Sequence, residues 1–169
     1  MLQGQCEYFP PIPVTLLLLI YILLSSSFID PSLSWKDIPW FRSITRMPIA
    51  LKGVQRVEDV LKAVEYGVDA VVLSNHGGRQ LDTSPSGIEI LAEVMPALRA
   101  RGWQDKIEVY IDGGIRRATD MLKALCLGAK GVGIGRPFLY AMSTYGQRGV
   151  ERAMRLLKVS FGIRGDQNY

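Results

Sequence analysis

The chain has 169 residues, 48% of them hydrophobic and 21% charged, with a formal net charge of +4. That length allows one domain with a real core, and a mild positive balance without zinc spacing, a basic helix or a basic aromatic strand argues for small anionic ligands and against nucleic acid. Two cysteines, Cys6 and Cys126, and a single histidine exclude a disulfide framework and a Cys- or His-rich metal site, so no metal ligand is expected.

Residues 1–30 differ in character from the rest. No charge lies between Glu7 and Asp30, and Val14–Leu24 is almost purely apolar. Membrane contact through residues 12–29, as a signal-type run or a short anchor, is one expectation. Against it stand the lack of Lys or Arg before the run, the helix-breaking Pro10, Pro11 and Pro13, and an apolar core short of the about 20 residues a span needs. A fortuitous leader joined to a truncated domain is the other expectation, and its role stays open.

Residues 31–160 read as one repeating pattern. Trp35–Arg42 is a short helix anchored by Trp35, Trp40 and Phe41. Pro48–Leu51 is a first strand, ending in Lys52 and Gly53. Val57, Val60, Leu61 and Val64 recur at helical spacing, with Gly67 as the stop. Ala70–Ser74 is a second, β-branched strand. Ser86 and Glu89 have capping-box spacing ahead of the helix face Ile90, Leu91, Val94 and Leu98. Glu108–Ile111 is a third strand, Thr119–Leu127 a third helix stopped by Gly128, and Gly131–Ile134 a fourth strand. Phe138–Tyr145 and Val150–Val159 are closing helices, and residues 161–169 form a divergent polar tail expected to fray.

Strand followed by helix, four times, implies an α/β fold with parallel strands and crossover helices. Each strand ends in polar or glycine residues. A doubly wound sheet would want G-x-G-x-x-G after its first strand, and that motif is absent, since Gly131, Gly133 and Gly135 alternate within a strand. Functional groups at every C-terminal strand tip instead fit half of a TIM (β/α)8 barrel.

The tips carry the chemistry. His76 follows Val71–Leu73 directly and can work as a base near neutral pH, while Arg79, three residues on, can hold a carboxylate. The bland alternative is a satisfied loop histidine on a plain Gly77-Gly78 turn. Lys52 can stabilise developing negative charge on a ligand ring, or simply lie solvated with its stem on apolar surface. Asp112-Gly113-Gly114-Ile115-Arg116 offers backbone N–H groups and a guanidinium to an anion, and Gly135-Arg136 repeats the design one strand later. Two consecutive tips of this kind suggest one phosphate held between them.

The segments LKGV, LSNHGGRQLD, YIDGGIRR and GIGRPFLYA closely resemble the FMN-dependent 2-hydroxy acid dehydrogenase/oxidase family, over roughly Ile29 to Leu157. WKDIPWF and KALCLGAKGVGIGRPFLYAMSTYG are most similar to its cytochrome-linked L-lactate dehydrogenase branch. The likeness implies the C-terminal half of the family's barrel, FMN as cofactor, and oxidation of a 2-hydroxy acid, L-lactate first, to the 2-keto acid. It implies His76 as base and substrate contact and Arg79 as the carboxylate partner. Lys52, Ser74, Asp112, Gly113, Gly114, Ile115, Arg116, Gly135 and Arg136 match flavin-binding positions. Asp112 is a partner for either a charged imidazole or a ribityl hydroxyl. The electron acceptor is a haem protein, a quinone or oxygen, and the compartment cytoplasmic or mitochondrial. Because four strands of the family's barrel have no counterpart here, self-association and a non-catalytic, flavin-poor half-barrel are the competing expectations.

Overall fold

The computed structural model describes residues 32–160. The chain divides into two units, residues 1–37 and 38–169. Of the first, the described part is Ser32–Asp37, where the Ser34 hydroxyl donates to Asp37 across the 3-10 turn Trp35–Asp37. Residues 1–30 and 161–169, with the leader and tail expectations, lie outside the described residues.

The second unit runs α1 (Ile38–Ile44), β1 (Ala50–Val54), α2 (Val57–Glu65), β2 (Ala70–Leu73), α3 (Gly87–Ala100), β3 (Glu108–Asp112), α4 (Ala118–Leu127), β4 (Gly131–Gly133) and α5 (Arg136–Ser160). The four strands form one parallel sheet in the order β1-β2-β3-β4, with no further strand on either edge among the described residues. This is the expected partial barrel, an unclosed arc of four strands with helical crossovers. β1 begins two residues later than the sequence suggests. Pro48 has no N–H to give to a ladder, and pairing starts where Ala50 meets Ala70.

Strand alternation decides which side is packed. Val71 and Leu73 of β2 and Val109 and Ile111 of β3 are buried. Helix residues placed at intervals of three and four are buried with them: Val60 and Ala63 of α2, and Ile90, Leu91, Val94 and Leu98 of α3. Leu73, Leu91 and Leu98 are fully covered, each contributing about 1.5–3 kcal/mol of burial. α3 starts against the strand tips. A β-carbon on Gly87 would stand 2.6 Å from the Leu73 carbonyl oxygen, so only glycine lets the helix sit that close. Its first turn is fastened by Glu89, which accepts from both the backbone N–H and the hydroxyl of Ser86 at 2.7 Å.

α5 is two helices rather than one. Gly146, at φ 59 and ψ −148, interrupts it in a conformation essentially reserved for glycine. The break falls between the two closing helices the sequence suggests. The second half then folds back, with Gly149 so near the first that a β-carbon there would lie 2.1 Å from the Ala141 carbonyl oxygen. Among the described residues no helix is long and apolar enough to cross a membrane.

Candidate active site

Parallel pairing in register brings the strand tips level. Lys52 lies opposite Val72, Leu73 opposite Ile111, and Asp112 opposite Gly133. Polar residues at these matches or up to three positions beyond them therefore crowd together at one end of the sheet. They border a cavity of about 730 Å3, within the range that holds cofactors. Lys52, His76, Arg79, Asp112, Gly113, Gly114, Ile115, Arg116, Gly135 and Arg136 all line it. Of the residues singled out from the sequence, only Ser74 does not.

Ser74 is the one buried polar residue of the described core, 1% exposed. Its hydroxyl accepts from Lys52 Nζ at 3.0 Å and from the backbone N–H of His76 at 3.0 Å, and donates to Asp112 Oδ1. One donor and two acceptor positions are thereby filled. Its carbonyl oxygen accepts from Gln55 Nε2 at 3.2 Å. Ser74 is thus a junction of three strand tips, and Lys52 completes it with an ion pair to Asp112 Oδ2.

Competing influences act on the Asp112 carboxyl. Burial is the largest and pushes its pKa up; the hydrogen bonds from Lys52 and Ser74, with the charges of Lys52 and His76, outweigh it and hold the group below the usual carboxylate range. With Lys52 and Ser74 bonded to its two oxygens, the carboxylate stays ionised.

His76 sits in a left-handed turn. His76, Gly77 and Gly78 have φ values of 58, 69 and 77, conformations in which a bulky side chain is strained and glycine is not. The turn is closed by the Gly78 N–H, which donates to Asn75 Oδ1 at 3.0 Å. Arg79 Nε donates to the His76 carbonyl oxygen at 3.0 Å, which fixes the guanidinium beside the imidazole-bearing residue. At the next tip, Asp120 Oδ2 accepts from the backbone N–H groups of Arg116 and Arg117, both at 3.0 Å, and so starts α4.

Sequence reading missed the apolar wall. Ile134, Pro137, Leu139 and Tyr140 also line the cavity, three of them from the start of α5. Ile134 sits at the β4 tip but is apolar, and the other three lie beyond the tips, so the rule that located the polar residues passes over them; apolar residues directly behind Arg136 were the available signal. Asn75 and Gln55, which brace the turn, carried no signal of their own. Among the described residues no cluster of His, Cys, Asp or Glu could hold a metal ion.

Comparison with known proteins bears on this arrangement. Residues 21–162 match the model of the FMN-dependent dehydrogenase family. Over 133 residues the chain is 68% identical to an L-lactate dehydrogenase (cytochrome) of Wickerhamomyces anomalus, covering 79% of this chain and 23% of that protein. The corresponding Saccharomyces cerevisiae protein is 65% identical over 133 residues, 79% of this chain and 22% of that protein. A solved flavocytochrome b2 variant with pyruvate bound superposes with a TM-score of 0.77 at 64% identity, covering 79% of this chain and 34% of that one. The chain therefore spans about a quarter to a third of the length of the relatives it matches. A family match over most of the residues, on a sheet whose tips gather one imidazole and several cations, leads to one assignment: the chain belongs to the FMN-dependent dehydrogenase family.

Proposed function

We propose that this chain supplies the FMN- and substrate-binding tips of a 2-hydroxy acid oxidoreductase, with L-lactate as the first candidate substrate. The observation that carries the reading is the meeting of His76, Arg79 and Lys52 in one cavity with the Gly113-Gly114-Arg116 and Gly135-Arg136 tips. The donor set fits FMN. Two glycine turns and two guanidiniums suit a phosphate, the apolar wall from Ile134 to Tyr140 suits a flat ring, and Lys52 Nζ suits an electron-rich ring edge.

Arg79 would pair with the substrate carboxylate by charge-assisted hydrogen bonds. That places the 2-hydroxyl carbon near His76, whose imidazole takes the proton that leaves during oxidation. The charge of a protonated His76 is one of the influences that hold the Asp112 carboxyl ionised. Lys52 stabilises negative charge gathering beside it. FMN, when bound, accepts the two electrons. The name of the relatives at 65–68% identity favours a haem protein as the electron acceptor.

A second reading is a half-barrel that holds little or no flavin, favoured by the two outer strands β1 and β4, unpaired on one side among the described residues. Titration of the purified chain with FMN separates the two. The proposal expects retained flavin absorbance that L-lactate bleaches without oxygen; a chain that emerges colourless from gel filtration establishes the second reading.

A further inference from the structure

The turn that carries His76 is braced mostly by its own neighbours: Ser74, Asn75 and Arg79 all lie within three residues of their partners. The brace from farthest away in sequence is a guanidinium. Arg136 Nη2, at the tip of β4 and 59 residues on in sequence, donates to the Gly77 carbonyl oxygen. The guanidinium lies flush against the Gly77 backbone, since a β-carbon there would stand 2.8 Å from Nη2. On another side, a β-carbon on Gly113 would lie 3.7 Å from Gly77 Cα. The middle residue of the base-bearing turn is thus held by one of the tips that form the anion end of the cavity and has the other close beside it.

A guanidinium has five N–H donors in one rigid plane. With one donor on Gly77 and the group lining the cavity, Arg136 cannot turn to grip an anion without moving what it holds on the turn. We infer that Arg136 is a positioning residue for His76, coupling the occupancy of the anion end to the conformation of the His76–Gly78 turn through the Gly77 carbonyl. The coupling rests on the reading of the β3 and β4 tips as a phosphate site; the brace on the turn does not. Such coupling is reciprocal: whatever orders the turn also tightens anion binding. A lysine at 136 would keep the charge but not the planar fork, so it separates positioning from plain electrostatics.

His76 is the only histidine, so its ring gives a single, assignable NMR signal pair. The experiment compares the wild-type chain with Arg136→Lys and Arg136→Gln, each confirmed folded by the dispersed amides of β2 and β3. Without ligand, both variants are expected to shift the His76 ring signals and speed exchange of the Gly78 amide. Inorganic phosphate and FMN, added separately, are expected to move the His76 signals in the wild type. In Arg136→Lys that response is lost while the Gly114 and Arg116 amides still report a bound anion. Unchanged ring signals and Gly78 exchange in both ligand-free variants would overturn the positioning role, whether or not anions bind. An equal His76 response in wild type and Arg136→Lys at equal occupancy would overturn the coupling. If no anion binds but both variants loosen the turn, the phosphate reading and the coupling fail while the positioning role stands.

Discussion

Each end of the sheet carries a carboxylate paired with a cation, and the two pairs do different work. At the N-terminal end, Arg42 Nη2 meets Asp69 Oδ2 at 2.6 Å and also donates to the Gly67 carbonyl oxygen. Asp69 Oδ2 accepts the Ile49 N–H at 2.6 Å, and the Asp69 carbonyl accepts the Glu108 N–H at 3.0 Å. That pair fastens backbone, joining the starts of three strands and the end of α1. At the C-terminal end, Lys52 and Asp112 grip each other and Ser74, and both still face the cavity. The same chemistry is locked onto main chain at one end and left available to a ligand at the other, as barrels separate stability from reaction.

This contrast can be broken by variants at either end. The largest effect is expected at the reactive tip. His76→Gln should lower the rate at which L-lactate bleaches the FMN-loaded chain by about 10²- to 10⁴-fold, the usual share of a general base, with little change in melting temperature. A rate within a few-fold of the parent would remove His76 from its role. At the opposite end the pattern inverts: Asp69→Ala should lower unfolding free energy by about 0.5–1.5 kcal/mol in urea, because the Ile49 N–H and Arg42 lose a charged acceptor that is already half in water. FMN affinity should be untouched, and a parallel loss of flavin would show that the two ends are not separate.

The smallest effect sharpens the electrostatics. Because the folded-state pKa of Asp112 is lowered, its ionisation stabilises the fold above the ordinary carboxyl range, and this is lost as pH falls through the folded value. Removing the cation in Lys52→Met leaves burial as the main influence, so the carboxyl should titrate higher and acid unfolding should begin at a higher pH. Carboxyl carbon chemical shifts followed through an acid titration check this directly; an unmoved Asp112 midpoint would mean that Ser74 and His76 hold the charge without Lys52.

Much of the fold was legible because it rests on periodicity. The apolar run Val71–Leu73 and the spacing of Val57, Val60 and Val64 are local signals, and Val60, Val71 and Leu73 are buried while Val57, Val64 and Val72 are half-buried. The polar side of the site was legible for a different reason. A parallel sheet brings its strand ends to one place, so His76, Asp112 and Arg136 could be grouped before any distance was known. What stayed hidden was anything made by tertiary packing. The Ser74 junction depends on three tips meeting at one hydroxyl, the Leu139 and Tyr140 wall on where α5 sets off, and the Arg136 contact on a glycine 59 residues earlier. Gly53 was also unreadable: pairing skips from Lys52 to Val54, an irregularity that only the partner strand reveals.

The backbone contact at Gly149 has a consequence for evolution in the laboratory. It is the pivot on which the two arms of the closing helix rest, and the forward arm holds Arg136, Leu139 and Tyr140 against the ligand space. A single methyl group at 149 acts as a wedge there, prying at the wall of a distant pocket while every residue in that pocket stays the same. Libraries that randomise only the lining would never sample this lever.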